Sequence, residues 1–364
     1  MDVSVEDPAA PEEAAPPRRR TRPWLLLLLG LVAVGLLAAS VVRIPYYAMA
    51  PGSAVDVEPL VAVRGDGPSF PPEGRVFLTT VSLRQATVVS ALRGWIDPDV
   101  DVVEKDSIVP PDTDADQLRE MNLRLMDSSK DAARGVAFEQ LGYDAISGSG
   151  ASVVQVVPDA PADGVLEEDD TIVELDGEPV RIDGDVISLL SQRAPGDRVS
   201  LVVERDGTRV PVELELGSRP GARGEAFLGV GLATRDLKLD FPFDVDIQSE
   251  RIGGPSAGLA FTLELLDVLT EGELTGGRQV AATGTIELDG TVGDVGGVAQ
   301  KTAAVKSAGI DLFLVPRGEF DDARRAAGDD LQVEAVDTLD DALRILARKG
   351  GNGLALGRPG ARTS

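Results

Sequence analysis

The chain has 364 residues and a net charge of −26, and it contains neither histidine nor cysteine. The length allows two or three domains, and the absence of cysteine excludes disulfides, thiol nucleophiles and thiolate metal sites. The absence of histidine removes the commonest metal ligand and the usual general base. The negative charge disfavours nucleic acid as a partner, because phosphates would be repelled. We therefore expect no metal site, no cofactor and no nucleic-acid partner.

The first feature along the chain is an uncharged apolar stretch at residues 24–42, close to the length that spans a bilayer. Arginines precede it, at Arg18, Arg19, Arg20 and Arg22. By the positive-inside rule, residues 1–23 form a disordered cytoplasmic tail, and the remainder is extracytoplasmic at the cell membrane. A cleaved signal peptide ending at Ala48-Met49-Ala50 is the alternative, although Pro51 disfavours cleavage there.

The next region, residues 44–140, begins with short strands and turns, because proline and glycine recur up to residue 74. A β-branched run at 76–81 predicts a strand that could belong to a later sheet. Apolar residues at helical spacing predict a helix between 113 and 141, which Asp112 or Asp114 could cap.

Residues 141–217 read as a separate β-rich module. Strands are predicted at 151–157 and 171–175, a helix at 182–192, and a hairpin of strands 199–204 and 210–216. The segments Gly150-Ala151-Ser152-Val153-Val154, Asp159-Ala160-Pro161-Ala162 and Asp170-Thr171-Ile172-Val173-Glu174-Leu175-Asp176-Gly177 resemble a PDZ domain of the bacterial protease type. The resemblance implies a loop whose N–H groups bind a peptide C-terminal carboxylate. We place this loop at Leu141, Gly142 and Tyr143, for which a tight turn with a buried leucine is the alternative.

The last block, residues 225–348, alternates strands with helices, and residues 349–364 read as a flexible tail. Strands are predicted at 228–232, 244–247, 280–286 and 312–315, and a helix capped by Thr338 closes the block.

Ser256 lies in Gly253-Gly254-Pro255-Ser256-Ala257-Gly258, directly before an apolar helical run. A helix start of this kind leaves free N–H groups that favour negative charge. The N–H groups of Gly254, Ser256 and Ala257 could therefore hold an oxyanion beside the Ser256 hydroxyl. A simple serine cap is the alternative.

Lys301 falls near the apolar face of a helix predicted at 298–307, whereas Lys306 faces solvent. Burial disfavours a charged amine, and a neutral lysine can activate a serine where no imidazole exists. A surface lysine with a buried stem is the alternative.

Three ordered motifs resemble the proteolytic domain of the Lon family: Pro255-Ser256-Ala257-Gly258, Thr283-Gly284, and Gly296-Gly297-Val298-Ala299-Gln300-Lys301. The resemblance implies Ser256 as nucleophile, Lys301 as general base and Thr283 as the residue that orients the lysine amine. Family members that carry an ATPase usually have an acidic residue three positions before the serine, where this chain has Gly253. The sequence has no Gly-x-x-x-x-Gly-Lys-Ser/Thr loop, so we expect ATP independence.

The expected fold class is α+β: an N-terminal transmembrane helix, a PDZ-like β-rich module and a Lon-type α/β proteolytic domain. The expected function is a membrane-anchored, ATP-independent serine endopeptidase with a Ser-Lys dyad that acts on protein or peptide substrates. Its PDZ domain is expected to recruit unfolded substrates or substrates with a C-terminal peptide. The family also suggests a homo-oligomer. One alternative is an inactive PDZ scaffold, and Gly253 is the feature of the sequence that favours it. Another is a signal-peptidase-like enzyme, which a helix after Ser256 disfavours.

Overall fold

The computed structural model describes residues 23–94, 96–97, 99–110, 113–218, 224–249 and 252–352. Most of the predicted N-terminal tail, with its arginines, lies outside these residues, as does most of the predicted C-terminal tail.

Three consecutive groups of elements make up the chain. The first contains α1 (Pro23–Val41), β1 (Arg43–Asp56), β2 (Val61–Val63), β3 (Arg75–Thr87), α2 (Val88–Gly94), β4 (Asp101–Glu104), α3 (Lys105–Ile108) and α4 (Ala115–Gln140). The second contains β5 (Ile146–Ser147), β6 (Ala151–Val156), β7 (Thr171–Leu175), β8 (Glu178–Pro179), α5 (Asp183–Leu190), β9 (Arg198–Arg205), β10 (Thr208–Glu215), β11 (Gly217–Ser218), β12 (Ala226–Phe227), β13 (Val230–Thr234) and β14 (Lys238–Leu239). The third contains β15 (Val245–Ile247), α6 (Gly258–Leu269), β16 (Gln279–Ala282), β17 (Thr285–Ile286), β18 (Val292–Gly293), α7 (Val298–Ser307), β19 (Leu312–Pro316), α8 (Phe320–Ala327), β20 (Gln332–Val336) and α9 (Leu339–Arg348).

A six-stranded sheet with the order β20-β19-β16-β3-β1-β4 joins the first group to the third. The strands from β20 to β3 run parallel, and β1 is antiparallel to both β3 and β4. The predicted strand at 76–81 is thus the first half of β3, which pairs through Arg75–Leu78 with β16 of the third group. The second group therefore lies between two parts of one sheet.

Successive side chains of the central strands point to opposite faces of this sheet, so a separate part of the core packs on each face. Leu312 and Leu314 of β19 pack in the cluster that contains α6 and α9. Phe313 and Val315 pack on the other side, with α7 and α8. Helix α6 is buried along its whole length, so it forms the centre of the first face.

The second group has its own core and its own sheet, with the order β10-β9-β7-β6-β13. The predicted hairpin is present, as β9 paired with β10. One prediction is wrong: the strand placed at 228–232 in the last block pairs instead with β6, and β13 is an edge of the PDZ-like sheet. Val230 and Leu232 pack against the core of this module, which explains the pairing.

Two further local predictions need correction. Residues 43–56 form one long strand, β1, whose register shifts lie between Arg43 and Tyr47 and between Pro51 and Ala54. These two register shifts accommodate the prolines of β1, because proline has no N–H group to donate to the neighbouring strand. The strand predicted at 280–286 is divided into β16 and β17, because Gly284 has a φ of +148°.

Asp114 caps α4 and accepts hydrogen bonds from the N–H groups of Asp116 and Gln117.

Helix α1 covers most of the predicted membrane segment, and its described leucine side chains, such as Leu27 and Leu31, are exposed. Within the ranges that the structure describes, no helix meets the combined length and apolar character of a bilayer crossing. The transmembrane helix therefore stays a prediction.

Two carboxyl groups of α6, on Glu264 and Asp267, are buried in the core. Among the described residues, no hydrogen-bond donor reaches either oxygen of Glu264, whereas Asp267 accepts from the Leu274 N–H at 2.8 Å. Burial, with a further contribution from the Asp267 charge, raises the pKa of Glu264 to about 8. Burial raises the pKa of Asp267 to about 6. Because an unpaired charge is costly inside a protein, the Glu264 side chain is protonated at neutral pH.

Replacement of Glu264 with Gln should stabilise the fold at alkaline pH. Folded Glu264 keeps its proton up to about pH 8, whereas the unfolded chain releases it near the ordinary pKa of 4.5. The contribution of Glu264 to stability therefore falls as the pH rises between these values and stays low above them. Calorimetry should show a smaller loss of Tm between pH 5 and pH 9 in Glu264→Gln than in the exposed control Glu271→Gln. Equal losses in the two variants would contradict the protonated state.

Candidate active site

Helix α4 holds the loop that presents Ser256 at the start of α6. The Gly254 N–H donates to the Asn122 carbonyl at 2.9 Å, and the Ser129 hydroxyl donates to the Pro255 carbonyl at 3.0 Å. Gly254 has a φ of +91°, which favours glycine at this position. The loop is therefore fixed from the side of α4, while Ser256 remains half-buried at the surface of a cavity.

Gly253 lies against α4, at the position where the resemblance to ATPase-bearing members of the Lon family implies an acidic residue. A Cβ atom at this position would be 3.1 Å from the Asn122 Cβ, which is closer than ordinary van der Waals contact. A side chain at this position would need Asn122 to shift by a few tenths of an ångström, so the glycine fits the close approach of α4.

One of the three predicted oxyanion donors is unavailable to a substrate, because the Gly254 N–H already donates to Asn122. That assignment is corrected. The N–H groups of Ser256 and Ala257 precede α6 and make no backbone hydrogen bond within the described part of the chain. They remain the candidates for holding an oxyanion at the helix start.

Lys301 lies one turn into α7, and its side chain is only 2% exposed. The helix begins at Gly297, whose left-handed φ of +71° turns the chain into the helix. A Cβ atom at Gly297 would be 2.6 Å from the Met49 Sδ and 2.9 Å from the Val81 Cγ1. This glycine therefore lets α7 approach β1 and β3, which closes the space around the lysine.

Thr283 connects the lysine to the nucleophile loop. The Lys301 Nζ donates to the Thr283 hydroxyl oxygen at 3.2 Å, and the same hydroxyl donates to the Ser256 carbonyl at 3.3 Å. The Gly284 N–H donates to that carbonyl as well, at 3.1 Å. Thr283 itself is fully buried after β16. The lysine amine and the serine backbone are thus held by one hydroxyl group.

Burial lowers the pKa of the Lys301 amine to about 8, and the negative charge of Glu319 opposes this shift. The Glu319 carboxylate accepts a hydrogen bond from the Val295 N–H at 3.2 Å, in the segment that leads into α7. Burial in turn raises the pKa of Glu319. At pH 8, about half of the lysine amines are neutral and can accept a proton.

Ser256 and Lys301 line the same cavity, which has a volume of about 550 Å³. Five apolar side chains line its walls: Met49, Val81, Leu83, Ile108 and Ile252. The hydrogen bond from Lys301 goes to Thr283 in this structure and not to the Ser256 hydroxyl. Within the described residues, no cluster of three or more acidic side chains could bind a metal ion. The structure therefore brings Ser256 and Lys301 together around one cavity, with Thr283 buried behind them and bonded to the Lys301 amine.

The predicted carboxylate loop at Leu141, Gly142 and Tyr143 is not at a sheet edge, so its assignment is corrected. Leu141 caps the end of α4. The Tyr143 ring packs at 5.8 Å from the ring of Phe138 and at 6.2 Å from the ring of Phe243. These aromatic contacts fix the end of α4 to the segment that returns from the PDZ-like module.

A different segment forms the groove of that module. A cavity of about 470 Å³ lies between α5 and residues 224–232. Ile187 and Leu190 of α5 face Phe227 and Val230 across it, and β13 is the edge strand beside it. The turn at Gly229, with a φ of +86°, precedes β13. An open edge strand beside an apolar helix face is the arrangement that accepts a peptide as an added strand.

Several contributing residues were missed by sequence reasoning. Asn122 and Ser129 lie far from Ser256 in the chain, and nothing in their local pattern indicates the contact. Glu319 follows β19 in a short turn and gives no signal of its own. The Phe227-Leu228-Gly229-Val230 sequence carried a signal, an apolar stretch with a glycine at the start of a strand, but it was assigned to the wrong sheet.

Two protein families match separate parts of the chain. Residues 132–216 match the PDZ domain, and residues 250–348 match the C-terminal proteolytic domain of Lon protease (S16). The chain therefore combines a PDZ domain with a Lon-type proteolytic domain, both of mixed α and β content. The resemblances predicted from the sequence are confirmed.

Individual relatives are each similar to only a part of the chain. A Lon protease from Campylobacter concisus is 35% identical over 102 residues, which are 26% of this chain and 12% of that protein. A probable periplasmic serine endoprotease DegP-like from Ectopseudomonas mendocina is 37% identical over 73 residues, or 20% of this chain and 15% of that protein. The PDZ domain of the SdrC-like protein from Listeria monocytogenes is a solved structure with 25% identity, covering 23% of this chain and 87% of that one at a TM-score of 0.22. The chain thus spans only 12% and 15% of the length of these two curated relatives.

Proposed function

We propose that this protein is a membrane-anchored serine endopeptidase in which Ser256 is the nucleophile and Lys301 the general base. The observation that carries the proposal is the buried Lys301 amine, which lines one cavity with Ser256 and donates to Thr283. The match of residues 250–348 to a proteolytic domain supports the same reaction class. The chain has no nucleotide-binding loop of the P-loop type, so we propose cleavage without ATP.

The proton path follows from the arrangement around Thr283. Neutral Lys301 takes the Ser256 hydroxyl proton, once the amine turns from Thr283 towards Ser256, and the alkoxide attacks the peptide carbonyl. The N–H groups of Ser256 and Ala257 hold the oxyanion, at the positive end of α6. The lysine then gives its proton to the leaving amine, and water releases the acyl group.

Cleavage should require both side chains and should increase with pH. Casein hydrolysis should fall by about a thousandfold or more in Ser256→Ala and in Lys301→Ala, since each removes a member of one unit. Lys301→Arg should also be inactive, because a guanidinium group stays protonated. In the wild type, kcat/KM should rise with pH through about 8, since only the neutral Lys301 amine accepts a proton.

The half-exposed lysine of the same helix provides the control, because Lys306→Ala should retain activity. A fluorophosphonate probe should label the wild type and not Ser256→Ala. Equal casein hydrolysis and equal labelling in the wild type and Ser256→Ala would refute the enzyme and favour a non-catalytic PDZ scaffold.

We propose further that the PDZ groove selects substrates by a free C-terminus. A peptide whose carboxylate sits near Gly229 can pair with the open edge of β13 and place apolar side chains against α5. Ile187 is 53% exposed in the groove, so its substitution should not disturb the core.

Ile187→Ala should weaken binding of an apolar C-terminal peptide by about tenfold, the effect of losing a buried aliphatic contact. Fluorescence anisotropy measures the Kd. Amidation of the peptide C-terminus should weaken binding as well. Val154→Ala removes a similarly exposed side chain outside the groove and should bind as the wild type does. Equal affinity for the free and amidated peptides would refute carboxylate capture.

Membrane anchoring is the remaining part of the proposal. Residues 24–42 carry no charge, arginines precede them, and the described leucines of α1 are exposed. The domains after α1 would then lie on the extracytoplasmic side. A homo-oligomer, suggested by the Lon resemblance, stays a prediction.

The full chain should remain in the membrane pellet after alkaline carbonate extraction, whereas a chain that starts after residue 42 should be released. Protease added to intact spheroplasts should digest the PDZ domain. Release of the full chain by carbonate, or protection of the PDZ domain in intact spheroplasts with digestion only after lysis, would contradict the anchored, extracytoplasmic arrangement.

A further inference from the structure

A second cavity, of about 500 Å³, shares Pro255 with the catalytic cavity and includes residues that follow β13 of the PDZ groove. Its walls come from α4, from the segment around β14 and from β17 with the residues that follow it. The apolar side chains Leu125, Ala132, Leu237, Leu239, Ile286 and Leu288 line it. We call it the middle cavity.

The middle cavity and the catalytic cavity share one wall residue. Pro255 lines both, and it directly precedes Ser256. The hydrogen bond from the Ser129 hydroxyl to the Pro255 carbonyl fixes this shared wall. A peptide bound in the middle cavity would therefore lie against the loop that carries Ser256.

The other end leads to the PDZ groove along a single stretch of backbone. Val230 and Leu232 line the groove, and Leu237 and Leu239 line the middle cavity a few residues later. A peptide with its carboxylate near Gly229 pairs with β13 and runs towards Thr234, the end of the strand that leads to Leu237. An extended peptide of ten residues covers at most about 33 Å, which is the longest distance that such a peptide could bridge between the groove and Ser256.

The surface of the middle cavity indicates what it accepts. Leu125 is 40% exposed and Leu237 44% exposed, so apolar area is available at the rim. The charged groups at this rim are acidic: Asp131, which is paired with Arg134, and Glu287, which accepts from the Thr285 hydroxyl at 3.3 Å. An apolar side chain beside a basic residue fits this surface, and an adjacent acidic residue does not.

We propose that the middle cavity binds an apolar side chain of an extended substrate, between the C-terminus held by the PDZ groove and the bond cleaved at Ser256. The proposal rests on the proposed function for the catalytic end of the path. It assigns specificity to Leu125 and Leu237, and it favours a basic residue next to the apolar one.

The test compares a long and a short substrate. The long peptide has about 25 residues, a free apolar C-terminus and a Leu-Lys pair on the C-terminal side of the scissile bond, and the short fluorogenic peptide fills the catalytic cavity only. In Leu125→Ala and Leu237→Ala, kcat/KM for the long peptide should fall about fivefold or more, mainly through KM, with the short peptide unchanged. Exchange of Leu-Lys for Leu-Glu should weaken cleavage of the long peptide by the wild type.

Leu123 provides a matched control, because it lies on the same helix, is also 40% exposed and does not line the cavity. Leu123→Ala should cleave both peptides as the wild type does. Equal losses for the long and the short peptide, or identical behaviour of the Leu125, Leu237 and Leu123 variants, would overturn the proposal.

Binding separates this proposal from the proposed catalysis. In a Ser256→Ala background, Leu125→Ala should raise the Kd for the long peptide about fivefold, and Leu123→Ala should not change it. A protein that binds in this way but cleaves neither peptide would refute the peptidase and retain the middle cavity as a peptide site. An unchanged Kd in Leu125→Ala and Leu237→Ala would refute the middle cavity whether or not cleavage occurs.

Discussion

The burial of one lysine amine is the constraint on which the rest of this site depends. An ammonium group would lose its hydration inside the fold, and the Thr283 hydroxyl is the partner that the structure provides for Lys301. The approach of α7 to β1 and β3, permitted by Gly297, excludes water and lowers the pKa of the amine to about 8. A chain without histidine can obtain a base near neutral pH by this route, at a cost in stability that the surrounding core must offset.

Helix α4 is the second element on which the site depends. This helix precedes the PDZ domain in the chain, yet its Asn122 and Ser129 hold the backbone around Ser256. Its other end packs through Phe138 against Phe243, which follows the PDZ domain. Helix α4 therefore contacts both the nucleophile loop and the point where the PDZ domain enters and leaves the proteolytic domain. Leu125 and Ala132 of this helix line the middle cavity.

Much of this architecture could be predicted from local patterns. Helix α7 was predicted with its observed bounds, the hairpin of β9 and β10 follows from its turn, and the order of the motifs placed Ser256 and Lys301 in one domain. Contacts between distant segments could not be predicted. β13 pairs with β6 across more than 70 residues, so the edge of the PDZ sheet, and with it the peptide groove, was misplaced. Glu264 lies within an apolar helical run, and its lack of a partner depends on packing that the sequence does not record.

The insertion of the PDZ domain has a consequence for biosynthesis. The sheet beneath Lys301 joins β3, made early on the ribosome, to β16 and β19, made after the whole PDZ domain. The PDZ domain, with its own core, can fold as soon as it emerges, while the edge of β3 that will pair with β16 stays unpaired. A nascent or truncated chain thus has a folded PDZ domain before the sheet beside Lys301 is complete. The order of synthesis itself delays assembly of the cavity around Ser256 and Lys301 until the PDZ domain has been made.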